Sequence, residues 1–225
     1  MKVVAFVPIK LKNERLPNKN ILPLGGKPLC QHMLDTLLEV NGISEIYVFC
    51  SDETISKYLP DGVQFLRRDS SLDSFQTQHY QIVDSFISAI DADIYINAHV
   101  TNPFVRRQTI ESGINSIISR NHDSACAVNE IREHLWYEGK PFNFELRNPP
   151  RTQDLVPLNA EVGLFMYRKE VFMKSGTRYG ANPFFLILDK IEAIDINYND
   201  DYRLAQAICS MHNKYMELSD NETES

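Results

Sequence analysis

Four cations fall within ten residues of this chain: Lys10, Lys12, Arg15 and Lys19. They follow an apolar run, Val3 to Val7, that stops at Pro8. Gly25-Gly26-Lys27-Pro28 closes the segment just before a helical pattern begins. Lys and Arg gathered on one loop can offset the charge of a phosphate chain, and chemistry at phosphorus needs such a counter-charge on its leaving group. A solvated basic turn would have the same composition. Position separates the two readings. A buried strand feeding a cationic loop places the charge at the carboxyl edge of a sheet, where open α/β folds bind ligands. Phosphate binding is the expected role.

The other informative polar clusters also follow strand-like runs. Arg68 comes after the third, His99 to Asn102 after the fourth, and Asp195 to Asn197 near the last. In a parallel sheet these loops share one edge, so a single site is implied. Its content is cationic with one acidic corner, which suits a nucleoside triphosphate with a divalent cation. The chain has no G-x-x-x-x-G-K-[ST] and no G-x-G-x-x-G, which argues against a P-loop ATPase and a dinucleotide oxidoreductase. It also lacks a nucleophile elbow. Its six histidines are scattered, and only His99, in a strand-end loop, is expected to take part in the site.

The elements that must position these residues are legible as hydrophobic periodicity. A helix is predicted over Cys30–Val40 with Met33, Leu34, Leu37 and Leu38 inward, closed by Asn41-Gly42. Strands are predicted at Ile46–Cys50, Val63–Leu66, Ile94–Ala98 and Ser124–Val128. Ser51-Asp52 is placed to cap a short helix after the first of these. Between them come a helix over Thr77–Ile90, with Tyr80, Val83, Ile87 and Ile90 buried, and another carrying Ile110, Ile114, Ile117 and Ile118. Strand and helix in alternation predict a parallel sheet with helices on both faces.

From Asn129 to Pro157 the helical period is lost. Trp136, Tyr137, Phe142 and Phe144 flank a turn at Glu138-Gly139-Lys140-Pro141, which predicts an inserted hairpin or arm. Such an arm suits a dimer contact or a flap over substrate. Strands at Gly163–Tyr167 and Phe184–Leu188, with a short helix over Glu170–Lys174 between them, are then expected. A last strand at Ala193–Ile196 and a closing helix over Asp200–Met216 follow, the helix with Leu204, Ala207, Ile208 and Met211 inward. Ser219 to Ser225 is polar and acidic and is expected to fray.

Composition excludes several classes. With 225 residues, 43% hydrophobic and 24% charged, the chain reads as an ordinary globular protein able to bury a large core. A net charge of -7 argues against bulk nucleic-acid binding. Cys30, Cys50, Cys126 and Cys209 are far apart and read as reduced thiols, neither a disulfide frame nor a zinc site. Lys2 is followed by only five apolar residues before Pro8, and no apolar run approaches the roughly 20 residues of a membrane span. A cytoplasmic protein without membrane contact is expected.

The segment Val7-Pro8-Ile9-Lys10 through Arg15-Leu16-Pro17-Asn18-Lys19-Asn20, with Gly26-Lys27-Pro28-Leu29 after it, resembles the opening motif of the cytidylyltransferases that activate sialic acid and related 3-deoxy-2-ulosonic acids. Weaker likenesses follow in order. Arg68 with Ser71-Leu72 is similar to that family's arginine loop, and Thr101-Asn102-Pro103-Phe104 to its Thr-Ser-Pro-Leu turn. Pro150-Arg151-Thr152-Gln153 resembles its Pro-Arg-x-Gln segment, and Ile194-Asp195-Ile196-Asn197 its Ile-Asp-Ile-Asp metal loop.

The resemblance implies a three-layer, Rossmann-like, mostly parallel sheet of the nucleotidyltransferase type. It implies one such domain over residues 1–225, with the arm at about 129–160. It further implies transfer of CMP from CTP to an acidic 2-keto sugar, with Mg²⁺ or Mn²⁺, in a homodimer. Lys10, Leu11, Lys12, Asn13, Arg15, Lys19, Asn20 and Arg68 would bind the nucleotide, with Lys10, Arg15 and Lys19 catalytic. His99, Thr101, Arg151, Gln153 and Glu161 would meet the sugar, and Asp195 and Asn197 the metal.

Departures from the family pattern fall in this site. Lys10 replaces an Arg, keeping the charge and losing the bidentate fork, and Asn13 replaces a Ser. Asn197 replaces an aspartate of the metal loop, and Thr101 stands where octulosonate-activating relatives carry an acid. Ala160-Glu161-Val162-Gly163 replaces the Arg-Pro-Asn-Gly of the sialate enzymes, which predicts an acceptor other than plain sialic acid. Two alternatives stand beside this reading. One is a relative that binds nucleotide without turnover. The other is a glycosyltransferase of related fold, for which Asp91-Ala92-Asp93 would be the metal motif although it precedes its strand.

Overall fold

The computed structural model describes residues 1–223, with side chains described through Met211. In chain order the elements begin with β1 (Val3–Ile9), a small hairpin of β2 (Pro23–Leu24) and β3 (Lys27–Pro28), α1 (Leu29–Glu39), β4 (Glu45–Cys50) and β5 (Val63–Arg67). Next come α2 (His79–Ala89), β6 (Ile94–Ala98), α3 (Arg107–Ile118) and β7 (Ser124–Ile131). The chain then forms the hairpin β8 (Trp136–Tyr137) and β9 (Lys140–Pro141). It closes with β10 (Leu158–Arg168), α4 (Lys169–Ser175), β11 (Pro183–Leu188) and α5 (Asn199–Thr223).

Seven strands make one sheet in the order β11-β7-β10-β6-β1-β4-β5. Alternation along β1 divides the core. Val3, Ala5, Val7 and Ile9 face α1 and α3, where Met33, Leu34, Leu37, Ile110, Ile114 and Ile117 meet them. Val4 and Phe6 face the opposite layer, built from Val83, Phe86 and Ile87 of α2 and Phe172 of α4. The result is the expected three-layer α/β fold.

Several details differ from the periodicity reading. β1 does not stop at Pro8 but pairs on to Ile9 against Cys50. Its ladder with β6 has already ended at Phe6, so the missing Pro8 N–H leaves no gap on that side. β10 runs antiparallel to both neighbours, because β7 returns through the arm instead of crossing over by a helix. Ala193–Ile196 is not a strand. β11 already forms the sheet edge, and the later segment is held by single hydrogen bonds, Ile196 N–H to Thr101 O at 2.8 Å and Asn102 Nδ2 to Ile194 O at 3.0 Å.

The buried helical stripes are also narrower than predicted. Leu38, Tyr80, Ile118, Leu204 and Met211 are exposed. On α2 Phe86 is buried beside the predicted Val83 and Ile87, and on α5 Ala205 is the buried residue. α5 extends past Met216 to Thr223, while Glu224 and Ser225, in the tail expected to fray, lie outside the described residues. Cys30, Cys50 and Cys126 are buried free thiols, and Cys209 is a half-buried one. Among the described residues no helix is long and apolar enough to cross a membrane.

Candidate active site

β1 delivers Lys10 to the carboxyl edge of the sheet, and the loop that follows is tied down at its far end. Asn18 adopts a left-handed conformation (φ 55°), which asparagine tolerates better than most residues, and starts a single 3-10 turn over Lys19–Ile21. Asn20 Nδ2 donates to Lys10 O at 2.7 Å, closing the loop on itself. Lys19 is buried, and its Nζ donates to Ile196 O at 2.6 Å, joining the basic loop to the Asp195 segment. Burial lowers the Lys19 pKa and Arg15 adds to the fall, while Asp195 and Asp201 oppose it. Arg15 lies over the Tyr198 ring, 5.3 Å from its centroid.

Two cavities of about 280 Å³ each share a wall of Lys10, Asn13 and Lys19. The first extends to Arg68, His79, His99 and Thr101. The second extends to Lys12, Arg15 and Asn197. Asn13 Oδ1 is buried there without a hydrogen-bond partner. A buried polar atom left unpaired is costly, and a ligand that fills the cavity would relieve it.

Arg68 reaches the cavity as expected, but most of its donors are already engaged. Nη1 donates to Phe49 O at 3.2 Å, and Nη2 donates to Ile9 O at 3.0 Å and to Asp73 Oδ1 at 2.6 Å. It therefore fixes the ends of β1 and β4, and only its buried Nε stays without a partner.

The cavity floor contains residues that sequence reasoning missed. Asn97, fully buried on β6, accepts at Oδ1 from Nε2 of both His79 and His99, each at 3.2 Å. The two imidazoles stack with centroids 5.7 Å apart. Burial, helped by Arg178, pushes His79 down to about 4. Burial, helped by His79, Arg178 and Lys19, pushes His99 down to about 3. Both are neutral at pH 7, and His79 Nδ1 and Asn97 Nδ2 remain unpaired. His79 carried no signal of its own, since nothing in the chain marked the first turn of α2 as facing the end of β6.

Next to this floor lies β10. Gly163 is required by close approach: a Cβ there would fall 2.4 Å from Asn102 Oδ1 and 2.6 Å from His99 Cβ. Asn102 Oδ1 accepts from Gly163 N–H at 3.1 Å, which links β10 to the Asp195 segment. Glu161 is exposed and lines neither cavity. It accepts from the Tyr179 hydroxyl and faces Arg178. Arg151 and Gln153 stand exposed on a 3-10 turn of the arm, away from both cavities, and Arg151 pairs with Asp154 at 2.8 Å. Leu11 and Lys12 border a separate groove with Asp52 and Arg67.

Asp195 and Asn197 meet directly, Asn197 Nδ2 donating to Asp195 Oδ2 at 2.6 Å. Among the described residues no three His, Cys, Asp or Glu side chains gather to hold a metal unaided. One carboxylate and one amide oxygen, with Asn197 on the wall of the second cavity, do fit Mg²⁺, which keeps water and substrate phosphate as most of its ligands.

An open α/β sheet with a cationic slot at its carboxyl edge defines a nucleotidyltransferase-type α/β protein. The family model described as "Cytidylyltransferase" matches residues 4–175, and the chain belongs to that family. It is 23% identical over 214 residues to an N-acylneuraminate cytidylyltransferase of Streptococcus agalactiae, covering 90% of this chain and 52% of that protein. The chain thus spans about half the length of these streptococcal relatives. It is 23% identical to the CMP-N,N'-diacetyllegionaminic acid synthase of Legionella pneumophila, covering 94% of this chain and 98% of that one. Among solved structures, a CMP:2-keto-3-deoxy-manno-octonic acid synthetase complexed with CTP superposes with a TM-score of 0.70 at 18% identity, covering 94% of this chain and all of the other.

Proposed function

We propose that this chain transfers CMP from CTP to a 3-deoxy-2-ulosonic acid of the sialic-acid type and releases pyrophosphate. The single observation that carries the reading is the wall of Lys10, Asn13 and Lys19 between two adjacent cavities. It offers a polar slot for a triphosphate with a nucleoside at one end. CTP lies along it, with its base toward Arg68 and its phosphates toward Lys12, Arg15 and Lys19. Asn13 Oδ1, unpaired in the free chain, finds a donor on the nucleotide.

The sugar's anomeric hydroxyl oxygen forms a new bond to the α-phosphorus, in line with the breaking bond to the β-phosphate oxygen. The hydroxyl proton passes to solvent water, and pyrophosphate departs against Arg15 and Lys19. Asp195 and Asn197 hold a divalent cation, which when bound supplies further counter-charge on the phosphates. Holding the reactants in place and offsetting charge carry most of the rate.

The acceptor lies over His99, Thr101 and Glu161. The exposed Trp136, Tyr137 and Phe142 of the arm support a second copy of the chain as partner. Arg151 and Gln153 then reach that copy's acceptor. The test is incubation with CTP, Mg²⁺ and a mixture of nonulosonic and octulosonic acids, followed by mass spectrometry. A CMP-sugar with matching pyrophosphate is expected. Nucleotide binding without product would instead indicate a binding relative.

A further inference from the structure

Arg178 is a largely buried cation with few partners among the described residues. Its side chain is 18% exposed, and its guanidinium carbon lies 3.5 Å from the centroid of the buried Phe165 ring. Against five N–H donors the chain supplies a 3.5 Å contact to the Tyr179 hydroxyl and a carboxylate oxygen of Glu161 at 3.8 Å. Glu161 is itself turned to the Tyr179 hydroxyl. Arg68, more deeply buried, makes three hydrogen bonds through Nη1 and Nη2. A guanidinium laid flat on an aromatic face, with its edge unpaired, can offer a fork to a carboxylate.

Its place in the site follows from the neighbours of Phe165. That ring is 5.9 Å from His99 and 6.5 Å from His79, and both histidines line the nucleotide cavity. β10 runs antiparallel to β6 with Phe165 opposite Asn97, so Arg178 over the Phe165 ring stands beside the cavity floor, and both Arg178 and Lys19 lie near enough to His99 to lower its pKa. A phosphate against Lys19 and a carboxylate against Arg178 then lie on either side of His99. The uncharged His79–Asn97–His99 floor keeps the two cationic centres distinct.

The geometry points to Arg178 as the residue that receives the carboxylate of the acceptor sugar and sets the chain's preference for acidic acceptors. This assignment rests on the cytidylyl-transfer reading above. The full chain is assayed for pyrophosphate release with N-acetylneuraminate, 3-deoxy-manno-octulosonate and N,N'-diacetyllegionaminate, each as free acid and as methyl ester. CTP binding is followed separately by calorimetry.

In the unaltered protein the acid has a KM about 10–100-fold below its ester, the range of a hydrogen-bonded charge pair. Arg178→Met, which keeps a stem over Phe165, brings that ratio close to one while CTP affinity stays within about twofold. Arg178→Lys, keeping charge without the fork, falls between. A ratio that survives in Arg178→Met overturns the assignment. Should that variant no longer bind CTP, Arg178→Lys decides, and an unchanged ratio there overturns it equally. CTP binding with no turnover of any of the three acids also overturns it. Failure of the unaltered chain to bind CTP sinks the nucleotide reading instead.

Discussion

The two halves of the candidate site are built differently. The half proposed for the phosphates takes its cations from one stretch of chain. Lys10, Asn13, Lys19 and Asn20 come from one loop, clamped by the Asn20–Lys10 hydrogen bond and by Lys19 against Ile196. The acceptor half is long-range and open. His79, Asn97, Glu161 and Arg178 come from four separate parts of the fold, and Arg151 and Gln153 stand apart on the arm. A triphosphate offers the same charges whatever the acceptor, so a compact cradle serves the first half. Discrimination among sugars needs groups that can be exchanged one at a time, which strand ends and an arm allow.

The sharpest way to break this comparison is Lys19→Ala. It removes both the cation proposed to face the leaving group and the tie to Ile196, so a loss of about 100- to 1000-fold in kcat is expected. Circular dichroism should show the fold retained. Near-normal pyrophosphate release would show that the basic loop is not the phosphate cradle.

A smaller effect is expected at the junction of the halves. Asn197→Asp places a second carboxylate beside Asp195 and removes the Nδ2 donor between them. Without metal the like charges lower Tm by roughly 2–4 °C, the equivalent of about 1 kcal/mol. With Mg²⁺ that loss is recovered, and the concentration for half-maximal rate falls about tenfold, since affinity follows ligand charge. A Mg²⁺ titration unchanged by the substitution would remove Asp195 and Asn197 from the metal site.

The mildest test concerns the neutral floor. Burial holds His79 at about 4 and His99 at about 3, both below the ordinary value of 6.5. Between these values and 6.5 the unfolded chain binds more protons than the folded one. Stability is therefore fully present above pH 6.5 and declines as the pH falls toward 4 and 3. The slope is at most about 1.4 kcal/mol per pH unit for each imidazole. His79→Gln should make it shallower in urea unfolding followed from pH 7 to 4.5. Equal slopes in the two proteins would mean that His79 is not kept neutral by the fold.

Much of this protein was legible in its residues. The apolar alternation of β1 and the strand-end position of the cations located the sheet and the edge where the two cavities lie, because both depend on neighbours close in sequence. The family's opening motif is legible for the same reason: one loop contains the whole of it. The stripes on α1, α2 and α5 were less so. Periodicity marks apolar residues, but which of them touches the sheet depends on how each helix is rotated, and Leu38, Tyr80 and Leu204 ended outside.

Only the tertiary structure decided the remainder. The antiparallel entry of β10, forced by the return of the arm, carries Gly163 against Asn102 and His99 and sets Phe165 and Arg178 beside the cavity. The same packing withdraws His79, Asn97 and His99 from water and joins Lys19 to Ile196 across 177 positions of chain. The sequence by itself determined where the cations gather, since one loop contains Lys10, Lys12, Arg15 and Lys19. What stands opposite that charge depends on strands paired far apart along the chain, and local pattern contains no record of it.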